Sequence, residues 1–456
     1  MKLTFVGHAG FLAEEADVVL LTDPWLDGTV FNDSWSLYPK PKFEDDKWRK
    51  VTHIWISHEH PDHLNIPTIR AIPPNARKNI TLLFQRHYDT LLLDWFQSQG
   101  FREVIELQHG KPTQLGAQFS ITCYQEGLID SGLLIEGEQT RILNLNDSQM
   151  PSSSLTRLKA EIGLIDVLFN QFSIAEWPGN PDDVSGRTRV AERVLNRFVR
   201  DFEELEPRYL VPFASFVRFS HRENSFMNSG VNTVDDVAAV IPEERLVCLY
   251  PGDEWTVEDG QFPGSDAALK QYTSDWKAIA DQELGESESV ALPEVLNAIN
   301  ERIRDIQGCY HRFVLDRTVP VSFYMTDLSA AIWVNMKVGA HITELSEKEC
   351  MVSLASQALL FTFSKRFGLP TLGVSGRYKI NHSEDAFRRL KKLGSAYAAG
   401  FYSKGILKFF FSRRRLSFLW HRRRDLFSQF VQRTPGLSRR PEQSTSVPSE
   451  DLRDTP

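Results

Sequence analysis

The stretch "WISHEHPDHLN", Trp55–Asn65, places His58, His60, Asp62 and His63 within six positions, although the chain of 456 residues holds only 12 histidines. It continues "VTHIWIS", an apolar, β-branched run that reads as a strand. Side chains alternate along an extended segment with period two, so His58 and His60 point the same way. Pro61 begins a turn that brings Asp62 and His63 round. The spacing therefore predicts that His58 and His60 hold one divalent metal while Asp62 and His63 face a second. Neutral imidazoles with one carboxylate suit zinc or iron, whereas magnesium and calcium would want more oxygen. Polar loops collect histidines by chance, but H-x-H-x-D-H directly after a strand is a far more specific pattern.

Outward from this loop the chain alternates quickly. "KLTFVGHAGFLAE" and "DVVLLTDPW" read as two strands, the second stopped at Pro24. After the histidine loop come a short helix "NIPTIRAI", a strand "ITLLFQ" and a helix "YDTLLLDWFQSQG" closed by Gly100. "FSITCYQ", "GLLIEG" and "RILNLND" read as further strands. "TRVAERVLNRFVRDFEELEP" repeats Val190, Val194, Phe198 and Phe202 at helical spacing, and "RYLVPFASF" follows as a strand. This order predicts a layered α/β sandwich over 1–262, left through the Pro- and Gly-rich "PGDEWTVEDGQFPGSD". Residues 263–310 read as a helical linker and 311–400 as a smaller α+β domain.

At this point a resemblance enters. H-x-H-x-D-H after a strand is similar to the signature of the metallo-β-lactamase fold, an αββα sandwich. "FVGHAGFLAE" with "LLTDPWL" also looks like the lactonase and phospholipase branch of that superfamily. "ISHEHPDHLNIPTIRAI", "DSGLLIEGEQTRILNLNDS", "VLFNQFS" and "PRYLVPFASFVRFSH" resemble the metallo-β-lactamase-like part of the CMP-N-acetylneuraminate hydroxylases. The resemblance implies that Asp147 in "LNLNDS" bridges the two metals and that Asp23 in "TDPW" supports the metal loop. His8 in "GHAG" lines the site or serves structure. Two departures matter. Hydrolytic members carry a third histidine before the strand that here begins "GLLIE"; this chain has "YQEGLIDSG", where Glu126 or Asp130 could substitute. Hydrolases also carry a histidine shortly after a proline on a late strand, but "VPFASF" supplies none, and His221 is the nearest imidazole. His53 is expected to pack within its strand, and His109 to lie at the surface.

Exchanging imidazole for carboxylate makes a harder site that favours iron over zinc. Iron opens oxygen activation; zinc would confine the site to polarising a substrate and activating water. The resemblance thus implies an oxygenase hydroxylating a sugar-nucleotide or similar polar conjugate. The hydroxylase family carries a Rieske domain with Cys-x-His and Cys-x-x-His pairs. Here Cys309-Tyr310-His311 matches the first pair, but Cys350 is followed by Met-Val-Ser, so electrons are expected from a separate protein. A binuclear zinc hydrolase of a phosphodiester or lactone is the second reading, and a non-enzymatic, membrane-associated binding protein the third.

Composition bounds the rest. Four scattered cysteines, Cys123, Cys248, Cys309 and Cys350, argue for a reducing, cytoplasmic setting and against a cysteine-rich metal site. The net charge of -8 is uneven. Residues 401–434 hold nine Lys or Arg against one acid, interleaved with Phe409, Phe410, Phe411 and Trp420. That pattern predicts a basic amphipathic segment meeting an anionic membrane surface, with nucleic acid the rival partner. A strand "VSGRYKI" ahead of a final helix faintly resembles sterol-carrier lipid-binding domains, and the polar tail 435–456 reads as disordered.

Overall fold

The structure, a computed structural model, describes residues 1–405 apart from 88 and 128, together with 416, 419 and 420. Most of the basic segment 401–434 and the whole tail 435–456 lie outside the described residues.

Two sheets face each other. One runs in the order Glu254–Thr256, Lys2–Gly7, Gly10–Glu15, Val18–Thr22, His53–Ile56, Thr81–Gln85, Glu103–Leu107. The other runs Tyr209–Phe213, Val167–Gln171, Arg141–Asn146, Asp130–Glu136, Phe119–Glu126, Pro112–Gly116. Phe5, Phe11, Leu83, Ile121, Leu133, Phe169 and Phe213 fill the space between them. The Phe11 and Phe169 rings stack across the sheets with centroids 4.4 Å apart. Burying such rings is the largest single contribution to holding the sheets together, roughly 1.5–3 kcal/mol for each fully buried apolar side chain.

Helices cover both outer faces. Ile66–Ala71 and Leu91–Ser98 lay Ile69 and Phe96 on Ile54, Ile56, Leu82 and Phe84. On the other side Val184–Leu205 turns Val194, Phe198, Phe202 and Leu205 inward, as its spacing predicts. A helix over Ser152–Ile162 joins it, although its run of serines gives little sequence signal. The result is an αββα sandwich, the layering that the order of elements predicts.

Three boundaries differ from the sequence reading. "KLTFVGHAGFLAE" is two strands, because the chain turns after Gly7 (φ +147°), the last residue of the first, through His8 (φ +45°) in left-handed backbone. The supposed linker 263–310 is divided between two cores. Helix Ser265–Lys277 sends Ala268 and Tyr272 into the first, and Leu292–Cys309 sends Val295, Ile299, Ile303 and Ile306 into the second. Finally, the first two residues of "VSGRYKI" end helix Gly368–Ser375, stopped by Gly376 at φ +68°, and only Lys379–Ile380 pairs as a strand.

The second body is a five-stranded sheet in the order Gly339–Thr343, Ala330–Asn335, Val321–Met325, Val352–Leu354, Lys379–Ile380, covered by helices. No described helix is long and apolar enough to cross a membrane. The bodies meet through loops of the first. Asn180 exchanges hydrogen bonds with the backbone of Ile380, Trp177 stacks on Tyr378, and fully buried Arg377 reaches the Asn32 carbonyl at 2.8 Å.

Candidate metal centre

The strand His53–Ile56 ends at Ser57, and the histidine loop leaves from the edge where both sheets present strand ends. Asn65 caps the following helix by accepting the Thr68 N–H at 3.0 Å, which fixes where the loop finishes. Within these limits His58, His60, Asp62 and His63 converge. His58 Nε2 lies 2.8 Å from His60 Nδ1 and 3.6 Å from Asp147 Oδ2. His63 Nε2 lies 3.4 Å from Asp62 Oδ2 and 3.5 Å from Asp147 Oδ2. Asp147 therefore stands between the two halves of the cluster, across the sandwich from the histidine loop.

The backbone of Asn146, at φ +58°, turns the Asp147 side chain out of its strand. The Asn146 amide donates to Asp23 Oδ2 and, at 3.0 Å, to Ser57 Oγ. Asp23 in turn accepts from Ser57 N at 2.8 Å and Ser57 Oγ at 2.7 Å, and pairs with His63 Nδ1 at 3.0 Å. A carboxylate on Nδ1 fixes the imidazole's orientation and leaves Nε2 pointing into the centre. The supporting role expected of Asp23 thus has a specific geometry. Asn146 was missed, since nothing in "LNLND" signals that its amide bridges two distant segments.

Electrostatics mark the same place. Burial pulls the His58 and His60 imidazoles below the usual range, so both are neutral donors. Burial acts on His63 too, but Asp147 and Asp62 outweigh it and hold this imidazole well above the usual range. Buried and without a hydrogen-bond partner among the described residues are His63 Nε2, Asp62 Oδ1, Asp147 Oδ1 and both ring nitrogens of His8. Protein interiors pair such atoms almost without exception, and a metal ion is one way of satisfying them. Two triads, His58–His63–Asp147 and His8–Asp62–His63, each bring their ligand atoms within 4.8 Å of one another. The donor set therefore fits one or two transition-metal ions.

The remaining sequence candidates separate. Asp130 opens its strand close enough to raise the affinity of His60 for a proton. Glu126 instead lines a polar recess with His109, Tyr124, Ser154, Arg157 and Glu161. His221 is not brought to the cluster. Its Nε2 meets Ser287 Oγ at 3.1 Å, its Nδ1 accepts from Glu223 N at 3.2 Å, and burial together with Arg377 lowers it to about 4. His53 packs as expected, bonded to Thr52 Oγ1 at 2.8 Å. His109 is half-buried rather than superficial, accepting the Gln125 N–H at 3.0 Å.

Three further groups border the centre without a sequence signal. His87 pairs with Glu59 at 3.6 Å and Asp89 at 3.3 Å; burial opposes its charge, but the two carboxylates push it up to about 9. Arg197 donates to Gln171 Oε1 at 2.8 Å and feels the Asp147 carboxylate. Phe31 presents its ring to His60, centroids 6.2 Å apart, from the same loop that Arg377 holds.

Residues 2–188 match the model of the β-lactamase superfamily domain, and the sandwich is a metallo-β-lactamase fold. The chain is 27% identical over 262 residues to a protein of Mycolicibacterium smegmatis named for a Rieske 2Fe-2S iron–sulfur centre, covering 54% of this chain and 49% of that protein. It is 23% identical over 336 residues to the cytidine monophosphate-N-acetylneuraminic acid hydroxylase of Mus musculus, covering 69% of this chain and 56% of the hydroxylase. The chain thus spans about half the length of these relatives. Among solved structures it is similar to an isothiocyanate hydrolase from Delia radicum gut bacteria, with a TM-score of 0.40 at 14% identity over 56% of this chain and 98% of the hydrolase.

Proposed function

We propose that the chain is an iron-dependent oxygenase that hydroxylates a nucleotide-linked sugar or a comparable polar conjugate, with electrons delivered by a separate protein. The observation that carries this reading is the convergence of the Asp62 and Asp147 carboxylates on His63 Nε2, at 3.4 and 3.5 Å, with the Asp130 charge felt at His60. An oxygen-rich donor set favours iron. Two relatives support it by name, one a hydroxylase of a sugar nucleotide and one a Rieske protein. His58, His60 and Asp130 would hold one ion, Asp62 and His63 the other, and Asp147 both. When bound, iron supplies the activation of dioxygen.

The chain's own residues do the rest. Asp23 and Ser57 lock His63 and the strand end, so the ligands are oriented before any metal arrives. Burial of His58, Asp62 and His63 keeps bulk water from the centre. Arg197, held by Gln171 Oε1 at 2.8 Å, would supply a cation to an anionic group of the substrate.

The test compares iron-loaded with zinc-loaded full-length protein, offered a CMP-linked sugar and a chemical or enzymatic reductant. Oxygen uptake coupled to a hydroxylated product is expected with iron alone, reduced at least about tenfold in Asp130→Ala. Hydrolysis of phosphodiesters or lactones by zinc-loaded protein, without oxygen or reductant, would instead establish a binuclear hydrolase.

A further inference from the structure

We infer that His8 is a metal ligand, closing the shell around the ion that Asp62 and His63 hold, in place of the late-strand histidine this chain lacks. The inference rests on reading the His58–His63 loop as a metal site and goes beyond it by naming the missing imidazole.

The sequence places His8 in "GHAG", between two strands. Gly7 at φ +147° and His8 at φ +45° fold this segment into a tight turn at the strand ends. Thr22 holds it, its Oγ1 donating to Ala9 O at 3.0 Å and accepting Phe11 N–H at 3.1 Å. The third tie is Ala214 N–H, which donates to His8 O at 3.0 Å. Ala214 belongs to "VPFASF", the segment in which a late-strand histidine was sought and not found. The two segments lie against each other, so His8 can present an imidazole from beside the position that Ala214 leaves without one.

The side chain is poised accordingly. His8 is 2% exposed and meets Trp25 edge-on, centroids 5.6 Å apart at 81°, which limits its rotation. Its Nε2 stands 3.4 Å from Asp62 Oδ2, which stands 3.4 Å from His63 Nε2. Neither His8 nitrogen has a hydrogen-bond partner among the described residues. Structural histidines in this chain behave otherwise: His53 bonds Thr52, and His221 bonds Ser287 and Glu223. A buried imidazole that closes no hydrogen bond among the described residues and brings Nε2 to 3.4 Å from a carboxylate–imidazole pair is suited to ligation.

Chelator-stripped full-length protein is titrated with cobalt(II), read by visible absorption and equilibrium dialysis. The variants are His8→Asn, His8→Cys and His221→Asn. Asparagine tolerates the left-handed backbone at this position, so the turn survives while the imidazole is lost. Wild type and His221→Asn should each take two equivalents. His8→Asn should bind its second equivalent at least about tenfold more weakly. His8→Cys should add a sulfur-to-cobalt charge-transfer band that a merely structural position would not produce. Wild-type affinity for both equivalents in His8→Asn, or no such band in His8→Cys, overturns the inference alone. A wild type that takes up no cobalt overturns the metal reading as well.

Discussion

Two buried polar clusters in this molecule use the same residue types and end in opposite states. At the joint between the bodies, Arg377 is fully buried and spends its guanidinium on Glu223 Oε2 at 2.6 Å, the Asn32 carbonyl at 2.8 Å and Ser287 Oγ at 3.0 Å. His221 beside it uses both ring nitrogens. At the histidine loop, by contrast, carboxylate and imidazole atoms of His8, Asp62, His63 and Asp147 converge without closing their hydrogen bonds. The first cluster is complete as protein, and the second leaves buried donor atoms that an added cation would satisfy. Pairing, more than residue type or burial, is what separates a structural network from a ligand site.

That contrast can be broken at either end. Arg377→Ala should cost the folded state about 3–5 kcal/mol, since it removes the cationic partner of the partly buried Glu223 carboxylate and one donor from the Asn32 carbonyl. Arg377→Lys should restore little, because an ammonium cannot span the three acceptors a guanidinium reaches. Denaturant unfolding of both variants checks this. A loss below about 1 kcal/mol would mean that the joint is not held by this residue.

A smaller effect sharpens the contrast through pH, in metal-free protein. His87 sits near 9 when folded, against about 6.5 when unfolded. Its pairing with Glu59 and Asp89 therefore stabilises fully below about pH 6.5, and the contribution disappears as pH rises through 9. The ceiling is about 3 kcal/mol. His221 runs the other way. Held near 4, it favours the neutral ring, so its contribution is present above about pH 6.5 and is lost as pH falls toward 4. Denaturation midpoints across pH 4–10 should show His87→Gln flattening the alkaline limb and His221→Asn the acid limb. Unchanged limbs would contradict both assignments.

Much of this was legible in the sequence because it depends on local pattern. The period-two and helical repeats gave the layers of the sandwich, and His58, His60, Asp62 and His63 stood out by spacing, while Asp147 was implied only by the family resemblance. What stayed hidden depends on contacts between distant residues. Asn146 reaches Asp23 across 123 positions, and Arg377 reaches Asn32 across 345. The turn at His8 was read as continuous strand because its flanking residues have strong strand character, while the left-handed backbone comes from Gly7 and from ties to Thr22 and Ala214. Likewise "LNAINERIRDI" carries a helical period whether it is a linker or a core helix. Only its packing on the second sheet shows which.

The most direct test of the account is the metal content of protein purified without chelators, wild type beside the His60→Ala/Asp62→Ala double variant, both shown to be folded by circular dichroism. The account predicts one to two equivalents of transition metal in the wild type, with iron supporting oxygen chemistry, and none in the double variant. Full metal content in the double variant, or a folded wild type that neither contains nor takes up a transition metal, would contradict it.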